Sequence, residues 1–324
     1  GPDPAVTEHA ASYLSWAFLG VTPLLVLLAG TGILRGLQDT RTPLVVAVAA
    51  NLANIVLNVV LVYGLDLGIA GAAIGTDLAQ LGAAAAVGVV VVRAARRENA
   101  SLRPDLPGIR RAGHAAVALV IRTVTLRASL LVMTWGAASL GATATATQQL
   151  AMTLWTFLAF ALDAIAIAAQ AITGRYLGAG DLEVTRQATD RMVTWGWRSG
   201  VVTGALLAVA APFLGPLFTS DPAVHSALWP VLLVAALFQP LAGVVFVLDG
   251  VLIGAGDGRY LAWAGAVVLV LFAPAAWAVA TMTSTGLLGL WVAFGVAFMG
   301  GRGVVLLLRS RGTRWMVTGA PAHL

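Results

Sequence analysis

Long apolar stretches, separated by short polar segments, run along the whole chain. Because about 20 helical residues cross the hydrocarbon core of a bilayer, each stretch predicts a membrane-spanning helix. Glycine, proline and charged residues mark the boundaries between the stretches. The predicted spans are 11–32, 42–63, 69–92, 113–137, 145–170, 192–218, 224–248, 260–281 and 286–308. The pattern therefore predicts an all-α, polytopic membrane helix bundle.

The basic residues are distributed on one side of this layout. All 19 are arginines, and most lie in the segments after the first, third, fifth, seventh and ninth predicted spans. Cytoplasmic loops retain basic residues whereas the alternate loops do not, so we expect the N-terminus of this chain outside and its C-terminus in the cytoplasm. Four arginines lie inside predicted spans: Arg122, Arg127, Arg198 and Arg302. The last two are near cytoplasmic ends, so we expect them to snorkel to the surface.

Composition agrees with a membrane protein and argues against catalysis. The chain is 59% apolar and 10% charged, against about 25% charged in soluble domains. The net charge of +5 is explained by loop arginines, so we expect no nucleic-acid partner. Absence of cysteine excludes disulfides and cysteine-ligated metals. The sequence shows no nucleophile, acid–base or metal signature, and the four histidines are predicted to be interfacial: His9, His114, His225 and His323. We therefore expect no enzyme, metal or cofactor.

A short motif occurs twice. Residues 32–41 read GILRGLQDTR and residues 250–259 read GVLIGAGDGR, sharing Gly-x-Leu-x-Gly-x-x-Asp. The register that aligns these stretches also aligns Gly68 and Gly71 with Gly286 and Gly289. It maps the first predicted span onto the seventh, which indicates two parallel repeats of six helices, an architecture that recurs in secondary transporters. The nine predicted helices then correspond to spans four to twelve, and we expect three further spans upstream.

This repeat divides the chain into predicted domains. Residues 1–92 form the C-terminal half of a first lobe, with three spans, and residues 93–112 form a basic cytoplasmic linker. Residues 113–311 form a second lobe of six spans, and residues 312–324 form a cytoplasmic tail.

The same motifs carry a resemblance to a known family. GILRGLQDTRTPL, GIAGAAIGT, LDAIAIAAQAITGRYLGAGD and VLDGVLIGAGDGR resemble the multidrug and toxic compound extrusion (MATE) family, in its DNA-damage-inducible F-like (DinF-like) branch. The likeness runs from Tyr13 to about Arg311, over the family's spans four to twelve. The first-helix aspartate that prokaryotic members use for cation coupling therefore has no counterpart here.

The resemblance implies a function and a setting. It implies export of amphipathic, often cationic organic compounds in exchange for protons or sodium ions, with two lobes exposing a central cleft alternately to each side. The ion gradient takes the place of a cofactor. The expected setting is the inner or plasma membrane of a prokaryote, with a monomer that contacts membrane lipid and small organic substrates.

Features present in both copies of the repeat are predicted to be architectural. In the repeated turn, the glycines permit a tight reversal and an aspartate or threonine can cap the next helix. A role in a cytoplasmic gate is the alternative. The residues concerned are Gly36, Asp39, Gly254 and Asp257.

Features present in one copy are better candidates for function. Asn51, Asn54 and Asn58 share one face of the second predicted span, and the repeat places apolar residues opposite them. This polar stripe either lines a proton or water path or hydrogen-bonds to neighbouring helices. Gln149 and Gln170, like Gln148, are weaker candidates for lining the cleft.

Ionisable groups deep in a span are functional candidates because they are costly there. They are Asp77, Asp163, Arg122 and Arg127. Asp163 and Arg122 lie at similar distances from the cytoplasmic ends of their predicted spans. We therefore expect Asp163 to pair with Arg122, or with Arg127. The pair would be broken during transport, or it would be a static salt bridge within the lobe.

These observations favour a secondary exporter of drug-like compounds. A lipid-linked precursor flippase of the same superfamily is the first alternative, and it should place more cationic residues in the cleft. A truncated, inactive or scaffolding membrane protein is the second.

Overall fold

The structure is a computed structural model that describes residues 14–97, 99–101, 103 and 105–318. In this part of the chain we number nine helices, with no strand between them. They are α1 (Val21–Gly36), α2 (Arg41–Gly64), α3 (Gly68–Arg97), α4 (Leu106–Ser139), α5 (Ala142–Gly178), α6 (Leu182–Phe218), α7 (Pro222–Gly254), α8 (Gly258–Met282) and α9 (Gly286–Arg311). The eight helices α2 to α9 are long and apolar enough to cross a membrane. The predicted all-α, polytopic bundle is confirmed.

The first predicted span is interrupted. Residues 14–17 are helical, residues 18–20 form a turn, and α1 has only 16 residues. Residues 11–13 of that span lie outside the described residues. At Gly20 the side chains of Asp77 and Gln80 occupy the space that a β-carbon would need. The turn therefore brings the backbone of this segment against polar side chains of α3.

Several helices are longer than their apolar stretches. Helices α5 and α6 have 37 residues each, which is about 55 Å of helix, whereas the hydrocarbon core is about 30 Å thick. The apolar pattern detects only the part in hydrocarbon, and caps set the true ends. Asp181 accepts a hydrogen bond from the backbone N–H of Val184 (3.0 Å), and Asp221 accepts one from Ala223 (2.8 Å).

The chain divides into two compact units, Gly1–Asp105 (unit 1) and Leu106–Leu324 (unit 2). The boundary falls inside the segment 93–112 that the sequence predicts as a linker, but helix α3 continues to Arg97 and α4 begins at Leu106. Part of the predicted tail belongs to the core of unit 2. The Trp315 side chain is buried, and its indole N–H donates to the carbonyl of Ser310 (3.1 Å).

The repeated motif forms the same turn in both copies. At the end of α1 the N–H of Asp39 donates to the carbonyl of Leu34 (2.9 Å), and at the end of α7 Asp257 donates to Leu252 (2.9 Å). The preceding residues, Gln38 and Gly256, have positive φ angles of 63° and 74°. This arrangement satisfies helix carbonyls that would otherwise lack donors. The two copies of the motif thus adopt the same backbone turn.

The same turn occurs a third time, at the end of α5. Here Asp181 donates its N–H to the carbonyl of Tyr176 (3.0 Å), after Gly180 with a φ of 78°. The sequence around it, GRYLGAGD, resembles GVLIGAGD at the end of α7. This chain therefore ends at least three of its described helices with the same turn.

In unit 1, α3 packs against both α1 and α2. In unit 2, α7 packs against α5 and α6, and α4 packs against α8. The α6–α7 contact is close because glycines lie four residues apart on α6, a spacing that lets membrane helices approach. At Gly200, a β-carbon would collide with the backbone of Gln239 on α7.

We predict that Gly200→Ala destabilises the protein, because the Gln239 backbone cannot move aside. Overpacking of this kind costs about 1–3 kcal/mol. The matched control is Gly113→Ala on α4, where the added carbon meets open space and improves helix propensity. Thermal unfolding in detergent, followed by tryptophan fluorescence, should show a lower midpoint for Gly200→Ala alone. Equal midpoints for the two variants would contradict the proposed close contact.

Candidate functional site

Two helices of unit 2 place arginine side chains around Asp249, which lies on a third helix, α7. Arg122 on α4 binds its carboxylate with two nitrogens: Nε lies 3.2 Å from Oδ1, and Nη2 is bonded to Oδ2. Arg302 on α9 donates from Nη2 to Oδ2 at 2.7 Å. The three side chains are largely buried, with 18%, 10% and 9% of the Arg122, Asp249 and Arg302 side chains exposed. We call this group the α7 charge cluster.

Aromatic rings, as well as ion pairs, hold the α7 charge cluster in place. The Arg302 guanidinium also lies over the rings of Phe246 (5.9 Å) and Phe298 (5.6 Å), and contacts of this kind stabilise cations in apolar surroundings. The space beside the cluster is about 10 Å³, which admits about one water molecule. The cluster therefore joins α4, α7 and α9, and it leaves no room there for an organic substrate.

Two sequence-based expectations are corrected here. Arg122 pairs with Asp249, not with Asp163, which is exposed on α5 and close enough to Arg122 only for a longer electrostatic interaction. Arg302 does not snorkel to the surface, because its partner carboxylate lies inside the bundle.

The other two intramembrane arginines remain at the surface. Arg127 is exposed and makes none of the ion pairs found among the described residues. Arg198 is exposed beside Trp195, as expected for a snorkelling side chain.

The sequence also indicates Asp249 as an intramembrane acid, but the predicted span boundaries excluded it. The seventh predicted span ended at residue 248, so Asp249 fell just outside it. Helix α7 instead continues to Gly254, because the residues on both sides of the aspartate are apolar. An acid within the apolar run VLDGVLIG was therefore the better candidate for the partner of Arg122.

The aspartates of the repeated turn have different partners. Asp39 accepts hydrogen bonds from the backbone N–H groups of Arg41 (3.1 Å) and Thr42 (3.0 Å) and so caps α2. Hydrogen bonds from the Thr42 side chain and backbone lower the pKa of the Asp39 carboxyl from its ordinary value. Asp257 makes no cap and binds Nε of Arg309 on α9 (2.6 Å).

The glycines of the turn also differ. A β-carbon at Gly36 would meet open space, whereas Gly254 packs against the backbone of Gln170 on α5. The two copies of the turn thus differ in their side-chain contacts.

Unit 1 brings together part of the predicted asparagine stripe. Nδ2 of Asn54 donates to the Thr76 hydroxyl on α3 (3.0 Å), and Nδ2 of Asn58 donates to Oδ1 of Asn54 (3.3 Å). The buried Oδ1 of Asn58 has no hydrogen-bond partner. Asn51 is exposed and donates to the carbonyl of Ala47 on its own helix (2.9 Å), so it does not join this network.

The network lies next to an acid and to an irregular stretch of helix. Asp77 follows Thr76 in the sequence, is half-buried, and lies against Gly20. From Val59 to Gly64, directly after Asn58, α2 is π-helical, a distortion that is frequent at functional sites. The structure thus gathers Asn54, Asn58 and Asp77 in one region of unit 1, joined by Thr76, which the sequence had not singled out.

Unit 2 carries a pocket of about 550 Å³ along α5 and one turn of α4. Its polar lining consists of two glutamines and four threonines: Gln148, Gln149, Thr134, Thr145, Thr153 and Thr156. The apolar lining consists of Met152, Phe157 and Phe160. We call it the α5 pocket; its volume is within the range of small-molecule sites.

The floor of the α5 pocket includes a fixed amide. Gln148 is 3% exposed, and its Oε1 accepts a hydrogen bond from the indole N–H of Trp291 on α9 (2.7 Å). Because an indole nitrogen can only donate, this bond sets the orientation of the amide. The Nε2 of Gln148 is left without a partner.

Two other sequence candidates share a face of α5 with the pocket. Asp163 follows Phe160 by three residues, and Gln170 follows Asp163 by seven, so helical spacing places them along one stripe. Both are exposed. Among the described residues, no group of three or more His, Asp and Glu side chains is placed to hold a metal ion.

We predict that Asp249→Asn strongly destabilises unit 2, because it leaves two buried guanidinium groups without a counter-charge. Breaking a buried pair in this way costs about 3–5 kcal/mol. Asp190→Asn, at an exposed position on α6, is the matched control and should be nearly neutral. The midpoints of thermal unfolding in detergent measure both effects. A midpoint for Asp249→Asn equal to that of the control would contradict the structural role of the cluster.

Curated proteins from a plant and a bacterium are similar to most of this chain. Protein DETOXIFICATION 43 of Arabidopsis thaliana is 31% identical over 296 residues, covering 90% of this chain and 55% of that protein. DNA damage-inducible protein F of Escherichia coli (strain K12) is 32% identical over 273 residues, covering 79% of this chain and 56% of that protein. The chain thus spans about half the length of these curated relatives.

Solved structures share the fold at low identity. A mutant of the Vibrio cholerae MATE transporter VcmN matches with a TM-score of 0.87 at 22% identity, over 97% of this chain and 72% of that one. A MATE protein in a bent conformation matches with a TM-score of 0.86 at 20% identity, over 96% and 70%. The MatE family model matches residues 1–60 and 118–278. These residues make up well over half of the sequence, so the chain belongs to the MatE family, the multidrug and toxic compound extrusion proteins.

Proposed function

We propose that this protein exports small amphipathic organic compounds across a membrane in exchange for protons or sodium ions, by alternating access. Membership of the MatE family supports this function, as do relatives named for DNA damage, detoxification or multidrug resistance. The observation that carries the proposal is the α5 pocket, a space of drug-like size on a helix long enough to span a membrane. No catalytic group is needed for such a function.

The α5 pocket favours an exporter over a flippase for lipid-linked precursors. A flippase must accommodate phosphate groups, for which arginine side chains are suited. The residues that line the pocket are uncharged, and Arg122 is committed to Asp249. We therefore retain the exporter as the proposal.

We further propose that ion coupling uses acids outside the α7 charge cluster. Asp163 lies on the α5 stripe beyond the pocket, and Asp77 lies beside the Asn54–Asn58–Thr76 network. Both are ionisable groups within membrane-spanning helices, which are rare without a function. The carboxylate of Asp249, in contrast, is bound by two guanidinium groups and serves the packing of α4, α7 and α9.

Transport by the chain tests this proposal directly. Cells that lack their own exporters should remove a fluorescent organic cation faster when they express the chain. Asp163→Asn should lower the export rate at least roughly tenfold, the equivalent of about 1.4 kcal/mol in the barrier, at an unchanged protein level. Asp190→Asn is the matched control and should export at the unsubstituted rate.

Two outcomes would contradict the proposal. Export equal to that of cells without the chain would favour the scaffold alternative. Unchanged export by Asp163→Asn would remove that residue from the pathway. Proteoliposomes with separate proton and sodium gradients then identify the coupling ion.

The proposed orientation, with the C-terminus of the chain in the cytoplasm of a prokaryote, can be tested with single cysteines, since the sequence has none. Ser220 and Ser284 are exposed in the loops that follow α6 and α8, and Ser101 is exposed in the segment that follows α3. A membrane-impermeant maleimide applied to intact cells should label Ser220→Cys and Ser284→Cys. Ser101→Cys should react only after the cells are opened, and the reverse pattern would invert the orientation.

A further inference from the structure

The described lining of the α5 pocket contains no charged side chain. Its lining contains threonine, glutamine, methionine and phenylalanine side chains, with no carboxylate among the residues that the structure describes there. Asp163, the acid on the same stripe of α5, lies beyond the lining. The polarity of the pocket therefore comes from neutral hydrogen-bonding groups.

Three of the four threonine hydroxyls in the lining can only accept hydrogen bonds from a ligand. Those of Thr134, Thr145 and Thr153 each bond to the backbone carbonyl four residues earlier, at 3.0, 2.9 and 2.8 Å. A carbonyl oxygen accepts but cannot donate, so each hydroxyl has used its single proton. The lone pairs that remain can only accept hydrogen bonds from a bound molecule.

The two glutamines differ in what they offer a ligand. Gln148 has an Oε1 committed to Trp291 and an Nε2 that is buried without a partner, so neither atom is exposed to a ligand in the pocket. Gln149 is exposed and can donate and accept. The rings of Phe157 and Phe160 supply apolar surface on the same lining.

We propose that the α5 pocket selects amphipathic aromatic compounds by their N–H and O–H donors, and that a positive charge on the compound is not required. Uncharged amides and alcohols with an aromatic body then belong to the substrate class together with protonated amines. A quaternary ammonium, which has charge but no donor, can contact the Phe157 and Phe160 rings but leaves the threonine acceptors unpaired, so it binds more weakly. The inference rests on the proposed function for the role of the pocket in transport, but binding can be measured without transport.

Four compounds with one aromatic body separate charge from donors. Naphthylmethylammonium has both, and naphthylacetamide has donors without charge. Naphthylmethyl-trimethylammonium has charge without donors, and methyl naphthylacetate has neither. Equilibrium dialysis of the tritiated compounds against the purified chain in detergent, corrected for protein-free micelles, gives the four dissociation constants.

We expect the ammonium and the acetamide to bind with similar affinity. The trimethylammonium and the methyl ester should bind at least roughly tenfold more weakly, because two or more hydrogen bonds are lost. Tight binding of the trimethylammonium with weak binding of the acetamide would overturn the proposal, since charge would then decide. Absence of measurable binding by all four compounds would also overturn it.

Isosteric variants locate the binding groups. Thr145→Val and Thr153→Val each remove one acceptor and should weaken binding of the acetamide about three- to tenfold, with no change for the methyl ester. Thr123→Val is the matched control: its hydroxyl also bonds to the carbonyl four residues earlier (2.9 Å) on α4, but it does not line the pocket. An equal loss in the control, or none in the pocket variants, would contradict the assignment.

Vesicle transport of the same compounds separates this inference from the proposed function. Binding in the expected order without transport would contradict the exporter and leave the selection rule standing. Transport that follows charge rather than donors would contradict the selection rule and leave the exporter standing.

Discussion

The packing of three helices in unit 2 depends on one buried carboxylate, which binds two arginine side chains. Asp249 lies inside α7 and is bound by arginines from α4 and α9. Hydrocarbon offers no water to solvate a charge, so a group of this kind persists only where its partners are supplied by the fold. The helices that supply them are consequently held in one register, with the rings of Phe246 and Phe298 closing around Arg302.

The two units differ in how the polar side chains of their membrane helices are paired. Unit 2 places its ion pairs in the α7 charge cluster and between Asp257 and Arg309, and it lines the α5 pocket with neutral side chains. Unit 1 joins α2 to α3 through amide and hydroxyl groups, and leaves one buried amide oxygen, that of Asn58, without a partner. Loss of a partner in unit 1 leaves a neutral group unpaired, whereas loss of Asp249 leaves two buried guanidinium groups without a counter-charge.

The sequence was sufficient for features that depend on local pattern. Apolar runs predicted the eight long helices, and the motif shared by Asp39 and Asp257 predicted two turns that have the same backbone hydrogen bond. It was insufficient where a pairing joins distant helices. Asp163 and Asp249 were both available to Arg122, and only the packing of α4 against α8, with α7 and α9 close by, decides between them. Likewise, periodicity identified the asparagine face of α2, but not the Thr76 hydroxyl that receives Asn54.

The repeated turn also bears on the distribution of arginines. It ends α1, α5 and α7, and the last turns of α1, α3, α5 and α9 contain Arg35, Arg96, Arg97, Arg175, Arg309 and Arg311. The C-terminus of a helix carries about half a negative charge from its aligned peptide dipoles, so these cations lie where the backbone itself attracts them. The uneven distribution of arginines along the chain is therefore also an electrostatic match between these side chains and the helix ends that carry them.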